Sequence, residues 1–159
     1  MAIQVGDKMQ DSFFTVMGSE GPQRLTTDAL FAGKKVVLFG VPGAFTPGCT
    51  LAHLPGFVVH ADAIKEYGVD TIACVSVNDV FVMAAWGKAS NADDVLMLAD
   101  GNGEFVNLLG LAQDASQWGM GMRSQRFSMI VDHGIVSHLN IDPEGVDKSS
   151  AETLLKLLQ

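Results

Sequence analysis

The run Lys35-Val-Val-Leu-Phe-Gly40 and the segment Pro42-Gly-Ala-Phe-Thr-Pro-Gly-Cys49 that follows it predict a buried strand leading into a helix. The apolar run is typical of an interior strand, and Thr46 and Pro47 suit the N-cap and the first position of a helix. Cys49 then falls at the third helical residue, among unpaired backbone N–H groups at the positive end of the helix dipole. This position favours the thiolate, which is the reactive form of cysteine.

The helix end is too weak to ionise a thiol by itself. An ordinary cysteine is about 3% ionised at pH 7, and lowering a thiol pKa to about 6 requires roughly 3.4 kcal/mol. A helix N-terminus typically contributes about 0.3 to 1 kcal/mol. A cation or further hydrogen bonds must supply the rest, so we expect an arginine near Cys49 in space.

Four separated motifs make the chain resemble the peroxiredoxins. The pattern Pro42-x-x-x-Thr46-x-x-Cys49 matches their active-site signature, and the longer run Gly40–Phe57 is similar to the type II (peroxiredoxin-five) branch, closest in pattern to plant and bacterial members. The other three motifs follow in the family's order: Cys74-Val-Ser-Val-Asn-Asp79-Val-Phe-Val-Met83, Leu98-Ala-Asp-Gly101 and Arg123-Ser-Gln-Arg126-Phe-Ser-Met129. The resemblance covers nearly all 159 residues.

The resemblance implies a thiol-dependent peroxidase that reduces hydrogen peroxide and organic hydroperoxides through a sulfenic acid on Cys49. It implies that Cys49, Thr46, Pro42 and Arg126 are the catalytic residues, and that the peroxide contacts Thr46, Arg126 and the backbone of Gly48. Pro42 would shield the sulfur from bulk water. No cofactor or metal is required for this chemistry.

Arg126 is also the best candidate for the cation near Cys49 when the residues are considered without the resemblance. The chain has three arginines, Arg24, Arg123 and Arg126. Arg126 opens the apolar run Phe127–Val131, and a side chain at a strand end can reach a crevice beside a helix N-terminus. Arginine stays charged and offers several fixed donors, so it can hold a thiolate and peroxide oxygens together. For Arg123 we expect supporting hydrogen bonds or no role.

Cys74 lies 25 residues after Cys49, where plant type II relatives carry a proposed resolving cysteine. The segment 71–77 is typical of an interior parallel strand, in which a thiol is a normal core residue, and a disulfide with Cys49 would require close Cα atoms or local unfolding. Both roles stay open. Animal relatives use a cysteine near the C-terminus, where this chain has Ser149 and Ser150. The alternative reductant is an external thiol: glutathione, glutaredoxin or thioredoxin.

His53 lies four residues after Cys49, which raises a metal site or a Cys-His pair as alternatives. Two ligands make a poor zinc site, and this spacing directs His53 down the helix, away from its N-terminus. We predict a packed or hydrogen-bonded histidine. The run Asp100-Gly-Asn-Gly103 predicts a turn, because it lacks the remaining carboxylates of a calcium loop.

Composition excludes several classes of protein. The net charge of −8, with only 10 Lys and Arg residues, argues against nucleic-acid binding. No run is apolar enough for a membrane span, and residues 1–8 do not have the pattern of a signal peptide. Two cysteines do not make a disulfide framework, so a reducing cytoplasm is the simplest compartment.

The order of predicted elements indicates one α/β domain over residues 1–159. An N-terminal hairpin (13–17 and 24–26) precedes alternating strands (36–39, 71–77, 95–99) and helices (47–67, 79–89, 104–109), with the first helix kinked at Pro55-Gly56. A second hairpin (127–131 and 135–139) and a helix (150–158) follow a glycine-rich segment that is predicted to be irregular. This order is that of a thioredoxin-like fold, a central mixed β-sheet flanked by helices. The resemblance also suggests a homodimer, with Phe45, Phe81 and Trp86 as interface candidates.

Two other functions fit parts of the sequence. A general thiol-disulfide oxidoreductase would have a dithiol at the helix start, but Thr46 stands where the first cysteine of such a pair would be. A non-catalytic thioredoxin-like binding module would have no need for the Arg126 donor.

Overall fold

A mixed β-sheet of seven strands forms the centre of the protein, of which the computed structural model describes residues 2–159. The described residues form nine strands in all: β1 (Phe13–Gly18), β2 (Gly21–Thr26), β3 (Lys35–Gly40), β4 (Thr71–Ser76), β5 (Leu96–Ala99), β6 (Ala112–Asp114), β7 (Met122–Ser124), β8 (Arg126–Asp132) and β9 (Ile135–Asp142). The main sheet has the order β2-β1-β5-β4-β3-β8-β9, and β6 pairs with β7 in a separate small sheet. Strands β3, β4 and β5 are parallel, whereas β1, β2, β8 and β9 join through antiparallel pairs.

Helices cover both faces of this sheet. They are α1 (Thr27–Phe31), a π-helix (Cys49–His53), α2 (Leu54–Val59), α3 (Ala61–Lys65), α4 (Val80–Ala89), α5 (Glu104–Leu108), a 3-10 helix (Ser116–Trp118) and α6 (Ala151–Leu158). Successive side chains of β3 point to opposite faces of the sheet, so the hydrophobic core has two parts. On one face Val37 and Phe39 pack with α2, α3, α4 and α6. On the other face Val36 and Leu38 pack with α1 and α5. None of the helices among residues 2–159 combines the length and the apolar character needed to cross a membrane.

The predicted fold, with its N-terminal hairpin and mixed sheet between helices, is confirmed. Local signals explain the helix starts: the Asp79 carboxylate accepts from Val82 N (2.8 Å) at α4, and the Ser150 hydroxyl accepts from Thr153 N (3.2 Å) at α6. The β8–β9 turn places His133 and Gly134 at φ values of 52° and 83°, which suits a tight hairpin.

Two local predictions are wrong. The helical segment after Pro47 breaks at His60 (φ −96°, ψ 7°), between α2 and α3, and not at Pro55-Gly56. Pro55 lies in the first turn of α2, where a missing N–H disturbs the helix least. The glycine-rich segment after α5 also contains the β6–β7 pair, whose three-residue strands are too short to show a period.

Candidate active site

The topology brings Arg126 to the helix that carries Cys49. Strand β3 ends at Gly40, and β8 runs antiparallel beside it with Phe127 opposite Gly40. Because β8 begins where β3 ends, Arg126 stands at the edge of the sheet from which the chain continues towards Cys49. Gly40 makes this pairing possible, since any side chain there would overlap the ring of Phe127.

Cys49 occupies the first turn of the helix, as its position in the sequence predicts. The helix begins at Pro47, and the Thr46 carbonyl accepts from Thr50 N at 2.9 Å. The turn then widens, because Leu54 N donates to the Cys49 carbonyl, a π-helical bond of a kind found often at functional sites. The Cys49 thiol is free and fully buried.

The Arg126 guanidinium contacts the Cys49 sulfur directly. Its Nη2 donates to Sγ at 3.2 Å, which is the charged donor that the helix end by itself does not provide. A Cβ atom at Gly48 would lie 3.0 Å from Nη2, so glycine at this position leaves the guanidinium room to approach. The structure therefore brings Arg126 to Gly48 and to Cys49, which lies 77 residues before it in the chain.

Thr46 lies at the N-cap position, but its side chain does not cap the helix. Its hydroxyl donates to the Gly43 carbonyl at 2.7 Å, which closes the loop that begins at the half-buried Pro42. The lone pairs of the hydroxyl oxygen stay available to accept a hydrogen bond. Within this loop Phe45 has a φ of 64°, a conformation that a bulky residue rarely adopts.

Two further side chains hold the loops of the site: Asn78, to which the sequence motifs assign no role, and Arg123. Asn78, after β4, accepts from Ala44 N (3.0 Å) and from the Ser76 hydroxyl (2.6 Å). Arg123 donates to the carbonyls of Met120 (2.9 Å) and Val77 (2.7 Å), which is the supporting role considered for it. Asn78 follows a predicted strand, and that position is the one signal that could have pointed to it.

His53 is buried and hydrogen-bonded, in agreement with its prediction, and both of its nitrogens have partners. Nδ1 lies 3.0 Å from Arg126 Nη1, and Nε2 lies 2.9 Å from the Ser149 carbonyl oxygen. Burial and the positive charge of Arg126 lower the pKa of His53 to about 4, although the Ser149 bond and the charge of Asp142 act in the opposite direction. The imidazole is therefore neutral at physiological pH.

A C-terminal loop holds Ser149 in place. The buried Asp142 carboxylate accepts from the backbone N–H groups of Asp147, Lys148 and Ser149 and from the Ser149 hydroxyl, at 2.6 to 3.1 Å. Burial would by itself raise the pKa of Asp142, but these hydrogen bonds lower it to about 2. A chain of contacts thus runs from Asp142 through Ser149 and His53 to Arg126.

Cys74 is a fully buried free thiol in the central strand β4, with Phe39 and Met97 as its neighbours on β3 and β5. Burial raises the pKa of this thiol well above its ordinary value; the Cys49 sulfur adds to the effect and Arg126 opposes it. Cys74 lies in the same hydrophobic cluster as Cys49. Its raised pKa keeps the thiol neutral. Its resolving role stays a prediction.

Other predicted features have simple structural explanations. Among residues 2–159 there is no group of three or more His, Cys, Asp or Glu side chains that could hold a metal ion. In the Asp100–Gly103 turn, the Asp100 carboxylate accepts from Phe105 N and Val106 N at 3.1 and 3.0 Å.

The prediction of Trp86 as an interface residue is wrong, because Trp86 is fully buried and its indole donates to the Thr50 hydroxyl (3.1 Å). Phe45 and Phe81 are exposed.

Comparison with known proteins gives a consistent result. The profile of the Redoxin family matches residues 4–155. Peroxiredoxin-2E, chloroplastic, of Arabidopsis thaliana is 47% identical over 99% of this chain and 70% of its own length, and Peroxiredoxin-2D of the same plant is 46% identical over 98% of each. The crystal structure of reduced Prx3 from Vibrio vulnificus in complex with H2O2 is 51% identical over 99% of both chains, with a TM-score of 0.96.

Proposed function

Since the chain belongs to the Redoxin family and, within it, to the type II peroxiredoxins, we propose that its Cys49 thiolate reduces hydrogen peroxide and alkyl hydroperoxides. Membership of this family makes the chain a thiol-dependent peroxidase, an oxidoreductase. The observation that carries the proposal is the 3.2 Å contact between Arg126 Nη2 and Cys49 Sγ. It pairs a fixed positive charge with the one thiol at a helix N-terminus.

In the first step the Cys49 thiolate attacks the terminal oxygen of the peroxide. A sulfur–oxygen bond forms while the oxygen–oxygen bond breaks, and two electrons pass from sulfur to the peroxide. Cys49 becomes a sulfenic acid, and the leaving alkoxide or hydroxide takes a proton from water. Arg126 stabilises the charge that spreads over the breaking bond, and this stabilisation is larger in the transition state than in the ground state.

Thr46 and the start of the helix orient the peroxide. The Thr46 hydroxyl already donates to Gly43, so it acts on the peroxide as an acceptor for the peroxide's own O–H. The backbone N–H groups of Gly48 and Cys49, near the helix N-terminus, are donors for the peroxide oxygens. Pro42 limits the access of water to the sulfur.

An external thiol regenerates the enzyme in this proposal. The thiol attacks the sulfenic acid, which releases water and leaves a mixed disulfide, and a second thiol then restores Cys49 and leaves with the first as a disulfide. Glutathione with glutaredoxin, or thioredoxin, has the required chemistry. Support comes from Cys74, which is buried and neutral and so would need both exposure and loss of its proton before it could attack.

Stopped-flow mixing of the reduced protein with hydrogen peroxide tests the proposal. Trp86 contacts Thr50, the residue after Cys49, so its fluorescence should change as Cys49 is oxidised. We expect a fast second-order phase in wild type and none in Cys49→Ser, with a sulfenic-acid trap labelling Cys49 alone. Reduction of insulin without consumption of peroxide would instead indicate a general thiol-disulfide oxidoreductase.

Turnover in Cys74→Ser tests the reductant. If the external route operates, the variant keeps steady-state turnover with glutathione and glutaredoxin, or with thioredoxin, and the faster of the two identifies the donor. Loss of turnover with an unchanged first oxidation step would assign resolution to Cys74.

The proposed enzyme is a homodimer in a reducing compartment. A homodimer would cover the exposed Phe45 and Phe81, and sedimentation at several concentrations tests it. A reducing compartment such as the cytoplasm suits a chain whose described cysteines are both free thiols, and cell fractionation tests that assignment.

A further inference from the structure

We propose that Trp86 is a positioning residue, which holds the first turn of the Cys49 helix in its reactive place through a hydrogen bond to Thr50. The inference deepens the proposed function and rests on it. Trp86 lies on α4, and its indole Nε1 donates to the Thr50 hydroxyl at 3.1 Å. Thr50 follows Cys49 directly in the chain, so this bond acts on the turn that carries the reactive sulfur.

The indole of Trp86 contacts the chain on both sides of Cys49. On the C-terminal side it binds Thr50, and on the N-terminal side its ring centroid lies 6.5 Å from that of Phe45, within the range of aromatic contacts. Cys49 itself packs in the same hydrophobic cluster as Trp86. The start of α4 is fixed separately, because the Asp79 carboxylate caps it. A side chain on a separate helix therefore holds both the loop before Cys49 and the turn after it.

Burial makes the turn sensitive to the loss of this hydrogen bond. Trp86 is fully buried, its indole N–H can only donate, and Thr50 is the acceptor that the structure gives it among residues 2–159. A buried donor without a partner costs more free energy than an ordinary hydrogen bond contributes, whereas water satisfies the donor once the turn opens. Loss of the Thr50 hydroxyl therefore favours open states, in which the Cys49 sulfur has left Arg126.

Two reactions of Cys49 respond to such opening in opposite directions. The reaction with hydrogen peroxide needs the closed turn, because there Arg126 Nη2 contacts the sulfur. Alkylation by iodoacetamide needs only the thiolate and a path to it, and Cys49 is fully buried while the turn is closed. A loosened turn thus slows the first reaction and speeds the second.

The first test removes the acceptor. Thr50→Val keeps the shape of the side chain and loses the hydroxyl, whereas Thr50→Ser keeps the hydroxyl and should stay close to wild type. In Thr50→Val we expect alkylation of Cys49 to rise about tenfold, since an unpaired buried donor shifts an opening equilibrium by about that factor or more. We expect the peroxide rate constant to fall about tenfold, because the turn no longer keeps Sγ at a fixed distance from Arg126.

Both rates are measured on the high-pH plateau, where the thiolate fraction no longer varies. Competition with a haem peroxidase for hydrogen peroxide gives the first rate without using tryptophan fluorescence. Mass spectrometry of the peptide that contains Cys49 gives the second. Urea separates local opening from unfolding: opening of one turn exposes little surface, so alkylation in Thr50→Val should hardly change at low urea concentrations.

The second test removes the donor. Trp86→Phe keeps most of the buried ring without the N–H, and Trp118→Phe, at a tryptophan with 72% of its surface exposed, is the matched control. If Trp86 and Thr50 act through one hydrogen bond, Thr50→Val changes neither rate further in the Trp86→Phe protein. The double variant should then be alkylated more slowly than Thr50→Val alone, because no buried donor is left unpaired.

Wild-type rates in Thr50→Val, or the same effect of Thr50→Val with and without the indole N–H, would overturn the inference while leaving the proposed function in place. Alkylation of Thr50→Val that rises steeply with urea would also overturn it. If Trp86→Phe does not fold, hydrogen exchange of the Trp86 indole N–H decides the matter. Faster exchange in Thr50→Val than in wild type supports the inference, and equal exchange excludes it. A wild-type protein that is alkylated at Cys49 but does not react with peroxide would remove the proposed function and this inference together.

Discussion

Single residues in this site act through the two ends of one guanidinium. Arg126 bonds to a sulfur through Nη2 and to an imidazole through Nη1, and each contact restricts the other. A lysine offers only a point charge on a flexible stem, so it could not bridge both groups in a fixed geometry. The positive charge of Arg126 and the fixed arrangement of its two terminal nitrogens therefore contribute separately to the reaction.

Removing the guanidinium should slow the reaction of Cys49 with peroxide without unfolding the protein. In Arg126→Ala we expect a loss of at least about 10² to 10³ in the second-order rate constant, the range for a lost transition-state donor. Arg126→Lys should recover only a small part of it. Stopped-flow kinetics measures the rate, and thermal unfolding reports on the fold. Arg24→Ala is the control, because Arg24 lies over the ring of Phe13, 3.7 Å from its centroid, outside the site. A wild-type rate in Arg126→Ala would exclude the role given to Arg126.

Gly48 should be sensitive to the addition of one methyl group. A Cβ there lies 3.0 Å from Arg126 Nη2, closer than ordinary contact, so the guanidinium in Gly48→Ala must shift by a few tenths of an ångström. We expect the peroxide rate to fall by about tenfold or more, since small misplacements of a catalytic group are costly. Gly56→Ala is the matched control, because its Cβ would meet Ala151 at 3.6 Å, an ordinary contact. Equal rates in both variants would show that Arg126 tolerates the shift.

At the scale of elements, the site depends on three chain segments that meet at one edge of the sheet. The loop and helix after β3 carry Cys49, the turn after β4 carries Asn78, and the start of β8 carries Arg126. Because β3 and β4 are parallel and β8 is antiparallel to β3, the ends of the first two lie beside the beginning of the third. The hydrogen bond from Ala44 N to Asn78 joins the first two segments.

Loss of that joining contact should loosen the active-site loop. Asn78→Ala leaves Ala44 N without its acceptor, next to Phe45 with its unfavourable positive φ. We expect a loss of about 1 to 3 kcal/mol in the free energy of unfolding, the usual cost of an unpaired buried group. Urea denaturation measures this loss, and limited proteolysis should find faster cleavage within residues 42–46. Asn102→Ala is the control, since Asn102 is exposed and its side chain donates to the neighbouring Glu104 carboxylate. Unchanged stability in Asn78→Ala would show that the conformation of residues 42–46 does not depend on the Asn78 hydrogen bond.

Local signals explain which parts of this arrangement the sequence predicts. The strand, the helix start at Pro47 and the caps at Asp79 and Ser150 follow from short-range rules, and so does the position of Cys49 in the first turn. Arg126 could be chosen because it opens an apolar strand and because of the family resemblance. The contact of His53 with Arg126 could not be predicted, because it depends on how a π-helical turn faces a strand 73 residues away.

At the scale of the whole molecule, the C-terminal loop and the helix of Cys49 are coupled through buried titratable groups. His53 and Asp142 are both buried, and Ser149 connects them. The pKa of His53 is lowered to about 4 and that of Asp142 to about 2. Both folded-state values lie below those of the unfolded chain, so each group contributes stability that is lost as the pH falls. The windows differ: about 6.5 to 4 for His53, and about 3.8 to 2 for Asp142.

This difference predicts that His53 makes the free energy of unfolding sensitive to acid between pH 6.5 and 4. Between pH 6.5 and 4 the unfolded chain binds a proton at His53 and the folded chain does not, so the free energy of unfolding falls with pH, by about 3 kcal/mol from this group. His53→Phe cannot take up that proton, so its stability should fall less over the same window, whatever its value at pH 7. Urea denaturation of both proteins from pH 7 to 3 measures the two slopes, and His60→Gln should follow wild type. Below pH 4 the wild-type and His53→Phe curves should become parallel, because Asp142 titrates in both. Parallel curves over the whole range would mean that His53 takes up its proton in the folded protein over the same pH range as in the unfolded chain, which would contradict the lowered pKa.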